Sequence, residues 1–205
     1  IFQSTKPLRS LIMSQPIQKH FEIGADVSKH EIFLLSENGP QKVPNRLESI
    51  KPFLRKLIKQ HPSPRITCES TGSYHDLLVM TCLELGVAVS IVNPLNVKSF
   101  IRSFGTKAKT DPIDTRYIWR FAVERQPRCL DKSWLKRHEV KELMSFRSRL
   151  VDERARLKAS LDKIQQEFIL SESKALIKNL TTRIKKIETK VSACITKDRE
   201  WSEAV

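Results

Sequence analysis

Hydrophobic and polar positions in the first part of the chain alternate with the two-residue period of β-strands. The segments FEIGADVS (21–28) and EIFLLSENG (31–39) predict two strands, and QKVPNR (41–46) predicts a shorter third strand. From Glu48 to Gln60 the apolar residues follow helical spacing instead, so a helix should come after the three strands.

The next part of the chain alternates between predicted strands and predicted helices. Parallel pairing is expected of strands that are separated by helices. Three consecutive strands followed by such units are the order expected of an RNase H-like domain, an α/β fold with a mixed sheet and flanking helices. The segments are RITCES (65–70, strand), YHDLLVMTCLELG (74–86, helix), VAVSIV (87–92, strand) and NPLNVKSFIRSFG (93–105, helix).

Beyond residue 130 the apolar pattern changes to a seven-residue repeat, which predicts an all-α coiled-coil segment of two long helices. The helices could pack on each other or on the pair of another chain. SES at 171–173 is expected to break the repeat. Arg147 and Arg154 fall at seam positions, where they either extend their charges to solvent or meet an acidic or phosphate partner. The repeat consists of Val140, Leu143, Arg147, Leu150, Arg154, Leu157, Leu161, Ile164 and Phe168, then Ile177, Leu180, Ile184, Ile187, Val191 and Cys194.

These patterns divide the chain into a polar lead (1–20), an α/β domain (21–130) and a helical segment (131–205). With 40% hydrophobic residues and a net charge of +14, the composition is that of a folded protein suited to a polyanion. Lys and Arg exceed Asp and Glu by 19 to 11 up to residue 130, and by 18 to 12 after it, so both parts can contact nucleic acid.

Two other features narrow the class of protein. The sequence contains neither an apolar run of about 18 residues nor a signal-peptide pattern, which favours a cytoplasmic protein without a membrane partner. The four cysteines are widely spaced and are expected to be buried or incidental thiols rather than zinc ligands: Cys68, Cys82, Cys129 and Cys194.

Acidic residues occur at positions where predicted strands end. Asp26 closes the first strand and Glu69 closes the fourth, so the two carboxylates would meet if these strands were neighbours. Asp111 and Asp114 stand three residues apart in KTDPIDTRYI (109–118), a spacing that places them on one helix face, where a divalent cation could offset their repulsion. Asp111 before Pro112 is equally typical of a helix N-cap, and both interpretations remain open.

Three segments, IGADVSK, CESTGSYH and KTDPIDTRYI, closely resemble in order and spacing the amino-terminal part of the DEDD-type transposases of the insertion-sequence one-ten family, relatives of Piv-type DNA invertases. The resemblance spans roughly Phe21 to Pro127, and a coiled-coil segment follows as in that family. It implies a RuvC-like domain whose catalytic and metal-binding set falls on Asp26, Glu69, Asp111 and Asp114, with Mg²⁺ or Mn²⁺ as cofactor.

The resemblance also implies the partners. Family members act on DNA and use a structured guide RNA called the bridge RNA, which implies a bacterial or archaeal cell. The apolar stripe of residues 138–200 predicts in addition that copies of the chain assemble as a homo-oligomer, a dimer or tetramer. Around the acidic set we expect four basic residues to contact phosphates, although a solvated helix face is the alternative for each: Lys107, Lys109, Arg116 and Arg120. The family's carboxy-terminal domain, which carries a serine nucleophile, has no counterpart motif in these 205 residues.

Three functions remain compatible with the sequence. The leading interpretation is the catalytic-fold portion of an RNA-guided DNA recombinase. The second is a metal-dependent nuclease or Holliday-junction resolvase with the same fold and acidic residues. The third is a non-catalytic module for nucleic-acid binding and oligomerisation.

Overall fold

The computed structural model describes residues 20–70, 72–103 and 115–196, which form two compact units, Ile1–Leu130 and Asp131–Val205. The predicted Asp111, Asp114, Lys107 and Lys109 lie outside the described residues.

The first unit contains a mixed five-stranded sheet with strand order β3-β2-β1-β4-β5. Strands β1, β2 and β3 pair antiparallel, whereas β4 lies parallel to β1 and to β5. The strands are β1 (Phe21–Val27), β2 (Glu31–Ser36), β3 (Gly39–Pro44), β4 (Pro64–Glu69) and β5 (Ala88–Val92). This arrangement confirms the predicted RNase H-like fold, with the meander first and the strand-helix units after it.

Helices cover both faces of this sheet. Their bounds are α1 (Leu47–Gln60), α2 (Asp76–Leu85), α3 (Pro94–Arg102) and α4 (Thr115–Arg125). The core is built from alternate strand residues such as Ile23 and Ile66, which are at most 3% exposed, together with helix residues such as Leu54 and Val79. All six residues of β4, an interior strand that is paired on both sides, are buried, including Arg65, Thr67 and Glu69.

The second unit is a pair of helices, α5 (Ser133–Ser160) and α6 (Glu167–Thr196), joined by a short 3-10 turn (Leu161–Lys163). They pack on each other within one chain. Leu180, Ile184 and Val191 of α6 are its buried residues, as the seven-residue repeat predicts.

Polar contacts accompany the apolar seam of this hairpin. Arg147 donates to Glu188 across the seam at 2.8 Å, and Arg154 reaches the hydroxyl of Thr181 at 3.4 Å. The seam arginines therefore find partners inside the hairpin.

The expectation that SES breaks the helix was wrong, because residues 171–173 lie inside α6. The Ser171 hydroxyl donates to the carbonyl of Phe168 at 2.8 Å, a local bond that a helix accommodates. The chain instead turns around Ile164, whose backbone is extended.

No helix in the described part of the chain is long and apolar enough to cross a membrane. Cys68 and Cys82 are buried free thiols, whereas Cys129 and Cys194 are partly exposed.

Candidate metal and nucleic-acid site

Asp26 and Glu69 lie side by side at the carboxyl ends of two neighbouring parallel strands. In the β1–β4 ladder Ala25 is opposite Cys68, so the residues that follow them, Asp26 and Glu69, stand at the same level. Both strands are interior to the sheet, since β1 also pairs with β2 and β4 with β5. The sequence predicted that Asp26 and Glu69 lie together if their strands are neighbours, and the observed strand order fulfils this condition.

Both carboxylates belong to the sheet face that α4 covers. Gly24 precedes Asp26 by two residues and Arg65 precedes Glu69 by four, so each pair shares a face. A Cβ atom on Gly24 would stand 2.4 Å from the backbone nitrogen of Trp119 in α4. The Arg65 guanidinium donates to the carbonyl of Ala122, also in α4, at 3.1 Å.

These contacts fix the direction of α4. Ala122 lies beside Arg65, near the amino ends of the strands, whereas Trp119 lies beside Gly24, further along them. Moving toward the amino end of α4 is therefore moving toward Asp26 and Glu69. Thr115, the first residue of α4 that the structure describes, is 4% exposed and thus packed into the structure.

The environment disfavours charge on both acidic residues. Burial raises the pKa of Asp26 above its ordinary value. Burial also raises the pKa of Glu69, and the neighbouring Asp26 charge adds to the shift, while Lys98 of α3 opposes it. Two carboxylates that are partly desolvated and mutually repelling are suited to a cation between them.

Glu22 shows the contrasting arrangement on the same face. Its carboxylate accepts from both Nε and Nη2 of Arg65 at 2.9 Å, a bidentate ion pair that is almost fully buried. Burial raises the pKa of Glu22 even so, because desolvation outweighs the attraction of Arg65. Glu22 has an arginine partner built into the sheet, whereas Asp26 is placed beside another acid.

Two of the predicted phosphate contacts lie on α4. Arg116 is exposed, and Arg120 is half-exposed and donates to Glu124 at 2.6 Å, one helical turn away. They occupy one side of the helix, as expected from their spacing of four residues.

A third acidic or histidine ligand does not join Asp26 and Glu69 among the residues that the structure describes. The two aspartates that the sequence predicts as further ligands, Asp111 and Asp114, fall between α3 and α4, outside those residues.

Sequence reasoning missed two contributors to this region, Gly24 and Asn45, and the effect of a third, Lys98, on Glu69. Gly24 permits the close approach of α4, and a glycine inside a buried strand was the available signal. Lys98 acts electrostatically on Glu69 from α3. Asn45 donates from Nδ2 to the carbonyls of Ser28 and Tyr74, at 2.9 and 3.0 Å, and so ties together the loops that follow the two acidic strands. Nothing in the sequence around Asn45 predicts that link.

An RNase H-like sheet with paired acidic residues at the ends of its central parallel strands defines a class of nucleic-acid-processing proteins. The family model described as transposase, for DEDD transposases of the IS110 type, matches residues 23–169. The chain belongs to this family, as its three motifs indicated. The match begins at Ile23, within β1, and extends to the beginning of α6. Among curated proteins, none matches the chain.

Proposed function

We propose that this chain is the RuvC-like part of a DNA recombinase in which Asp26, Glu69, Asp111 and Asp114 hold divalent metal ions, Mg²⁺ or Mn²⁺. The observation that supports it best is the Asp26–Glu69 pair, two half-desolvated carboxylates at one level of neighbouring strands. Membership of a DEDD transposase family supplies the class of reaction and its DNA substrate.

The direction of α4 is the argument for including the two aspartates. Asp114 directly precedes Thr115 in the sequence. Thr115 is the buried first described residue of a helix whose amino end is directed toward Asp26 and Glu69. An aspartate at the start of this helix would also favour its dipole, so the capping and metal-binding interpretations of the DxxD pair are compatible.

The donor set fits hard divalent cations, because carboxylate oxygens suit Mg²⁺ and Mn²⁺ and neither cysteine nor histidine is required. When bound, two such ions supply activation of an attacking oxygen and stabilisation of a leaving oxygen in phosphoryl transfer. The residues of this chain hold the ions and orient the phosphate. Lys98 keeps positive charge beside Glu69, and Arg116 and Arg120 present theirs on α4.

The proposal extends to partners and setting. The net charge of +14, divided between both parts of the chain, supports binding of DNA together with a structured bridge RNA. We also propose that copies of the chain assemble into dimers or tetramers. We place the reaction in the cytoplasm of a bacterial or archaeal cell, with the serine nucleophile supplied by a further domain and with the domain division at residue 130.

Calorimetric titration of the 205-residue chain with Mn²⁺, in the presence of duplex DNA, tests the metal site. Asp26→Asn and Glu69→Gln should each weaken Mn²⁺ binding by at least about tenfold, because each removes a charged ligand. Glu31→Gln is the matched control, since Glu31 is an exposed carboxylate that pairs with Lys42 at 2.9 Å on β2. Equal affinities for the Asp26→Asn and Glu31→Gln proteins would refute the assignment.

A further inference from the structure

The outward side of α6, in the second unit, carries a concentration of positive charge. Between residues 173 and 187 the sequence has five basic residues and no acidic residue. They are Lys174, Lys178, Arg183, Lys185 and Lys186, and all of them are exposed. The nearest acidic residue before them, Glu172, lies one turn from Ala175.

Packing within the hairpin determines which side of α6 is free. Ile184 is buried in the seam at 3% exposure, and Thr182, two residues before it, is exposed. Two residues correspond to about 200° around a helix axis, so Thr182 lies on the side opposite the seam. The line of residues Ala175, Thr182 and Lys186 follows this outward side.

The outward side is a shallow groove rather than a uniform array of lysines. Its central residues, Ala175 and Thr182, are short, and Lys178 and Arg183 border it on either side. The Asn179 side-chain oxygen accepts from Arg183 at 2.8 Å, which orients the guanidinium along the helix. The groove volume is about 550 Å³, and Lys186 stands at its far end.

Carboxylates of the hairpin do not neutralise this groove. Glu188 pairs with Arg147 at 2.6 Å, Glu139 with Lys190 at 3.0 Å, and Glu153 with Arg156 at 3.7 Å. In the described part of the chain, no ion pair is formed by the five basic residues of 173–187. These three carboxylates are thus paired away from the groove, and the outward side of α6 keeps its positive charge.

We propose that this surface, which we call the α6 groove (Ala175, Lys178, Asn179, Thr182, Arg183 and Lys186), binds the phosphate backbone of duplex DNA. Lys178 and Lys186 are eight residues apart, about 12 Å along the helix, a length that spans several phosphates of one strand. The short central side chains leave room for the strand while the cations border it. The sequence of the DNA is not read, because such contacts reach only phosphates. The proposal uses the family only to choose DNA as the polymer and is independent of the metal site.

The test measures the salt dependence of duplex DNA binding by the 205-residue chain in EDTA, so that loss of the metal site cannot affect the result. Lys178, Arg183 and Lys186 are replaced together by alanine. The slope of log Kobs against log salt should become shallower by about two to three units, about one for each phosphate that the variant no longer binds. Three exposed basic residues of α5, Lys141, Arg156 and Lys158, are replaced in the control protein, which should keep the parental slope. Equal changes in both proteins, or no change in either, would overturn the proposal.

Lysine-acylation footprinting gives an answer that needs no variant. Bound duplex DNA should protect Lys178 and Lys186 several-fold more than Lys141, and equal protection of all three would contradict the groove. A competition experiment identifies which polymer the groove binds. If duplex RNA displaced the bound DNA tenfold better than duplex DNA of the same length does, the choice of DNA would be overturned.

Discussion

Glu22 and Asp26 are acidic residues on the same face of the same strand, yet the charged residues beside them have opposite signs. Glu22 faces Arg65, and removal of either partner would leave a buried charge uncompensated. Asp26 faces Glu69, so the folded protein keeps two like charges together without a described counter-ion between them. Such an arrangement costs stability and is typical of a site that functions with a bound cation.

Replacing Asp26 by asparagine should therefore stabilise the metal-free protein. In the folded state the pKa values of Asp26 and Glu69 lie above their ordinary values. At a pH between the ordinary and the raised pKa, the folded state therefore binds more protons than the unfolded chain. Stability falls as pH rises through this window from about pH 4 upward. In EDTA at pH 7, Asp26→Asn should raise Tm by about 2–4 °C, which corresponds to about 1 kcal/mol, and should weaken the pH dependence. Thermal unfolding at pH 5 and pH 7 measures both effects.

Glu31→Gln serves again as the control, because its partner Lys42 is exposed and the pair contributes little. A lower Tm for Asp26→Asn than for the parent at pH 7 would show that the carboxylate is stabilising.

The residue-level prediction from sequence succeeded where local pattern and strand order suffice. Asp26 and Glu69 stand at strand ends that alternation defines, and the RNase H-like order makes the strands neighbours. Asn45, and the effect of Lys98 on Glu69, were missed because these contributions depend on loop and helix geometry across 15 or more residues. Asn45 contacts backbone carbonyls, and Lys98 acts on Glu69 through its charge. Neither interaction produces a periodic pattern in the sequence.

At the scale of elements, the contact between α4 and β1 determines how α4 lies over the sheet face that carries Asp26 and Glu69. Gly24 lets the backbone of α4 approach the sheet, and Trp119 donates from its indole nitrogen to the carbonyl of Glu22 at 3.1 Å. Arg65 adds its bond to Ala122 on the next turn. The helix is thus held at two turns, with its amino end directed at the carboxylates.

Substitution of Gly24 by alanine should displace this helix. The added Cβ would lie 2.4 Å from the nitrogen and 2.7 Å from the Cα of Trp119, and backbone atoms cannot move aside as a flexible side chain can. We expect a loss of unfolding free energy of about 3 kcal/mol, the upper part of the range for overpacking. Urea unfolding provides the measurement.

Gly86→Ala is the comparison, because its Cβ meets no atom within 4 Å and only the positive φ of 74° is unfavourable. That strain should cost about 1 kcal/mol. If both alanine variants were equally stable, the close approach of α4 would not be rigid.

The helical hairpin shows what a periodic pattern predicts and what it does not. The seam residues Leu180, Ile184 and Val191 were predicted because burial repeats with the helix. The position of the turn was wrong, since Ser171 and Ser173 are tolerated inside α6 while the chain reverses before Glu167. Serine disfavours helices only weakly, so the packing of the flanking helical turns determines whether the helix continues through Ser171 and Ser173.

On the scale of the whole molecule, the acidic set is distributed over residues that are far apart in sequence. Asp26 and Glu69 are brought together by the β1–β4 ladder, whereas Asp111 and Asp114 precede the helix that covers the same sheet face. The fold predicted from the sequence would bring all four residues together. The described residues include only Asp26 and Glu69, and these two lie side by side. If Asp111 and Asp114 act on the same metal ions as Asp26 and Glu69, substitutions in the two pairs should be energetically coupled.

A double-mutant cycle on Mn²⁺ affinity measures this coupling. If all four residues serve one metal centre, Asp26→Asn alone should remove most of the binding, and adding Asp114→Asn should weaken it by less than about threefold more. Groups that act on the same ion are non-additive because the first loss already removes the interaction on which the second depends. Asp26→Asn combined with Glu31→Gln provides the control, in which the two effects should add. Fully additive losses would show that Asp26 and Asp114 act on Mn²⁺ independently rather than in one centre. Unchanged affinity in Asp114→Asn alone would leave Asp114 as a residue that favours the helix dipole of α4.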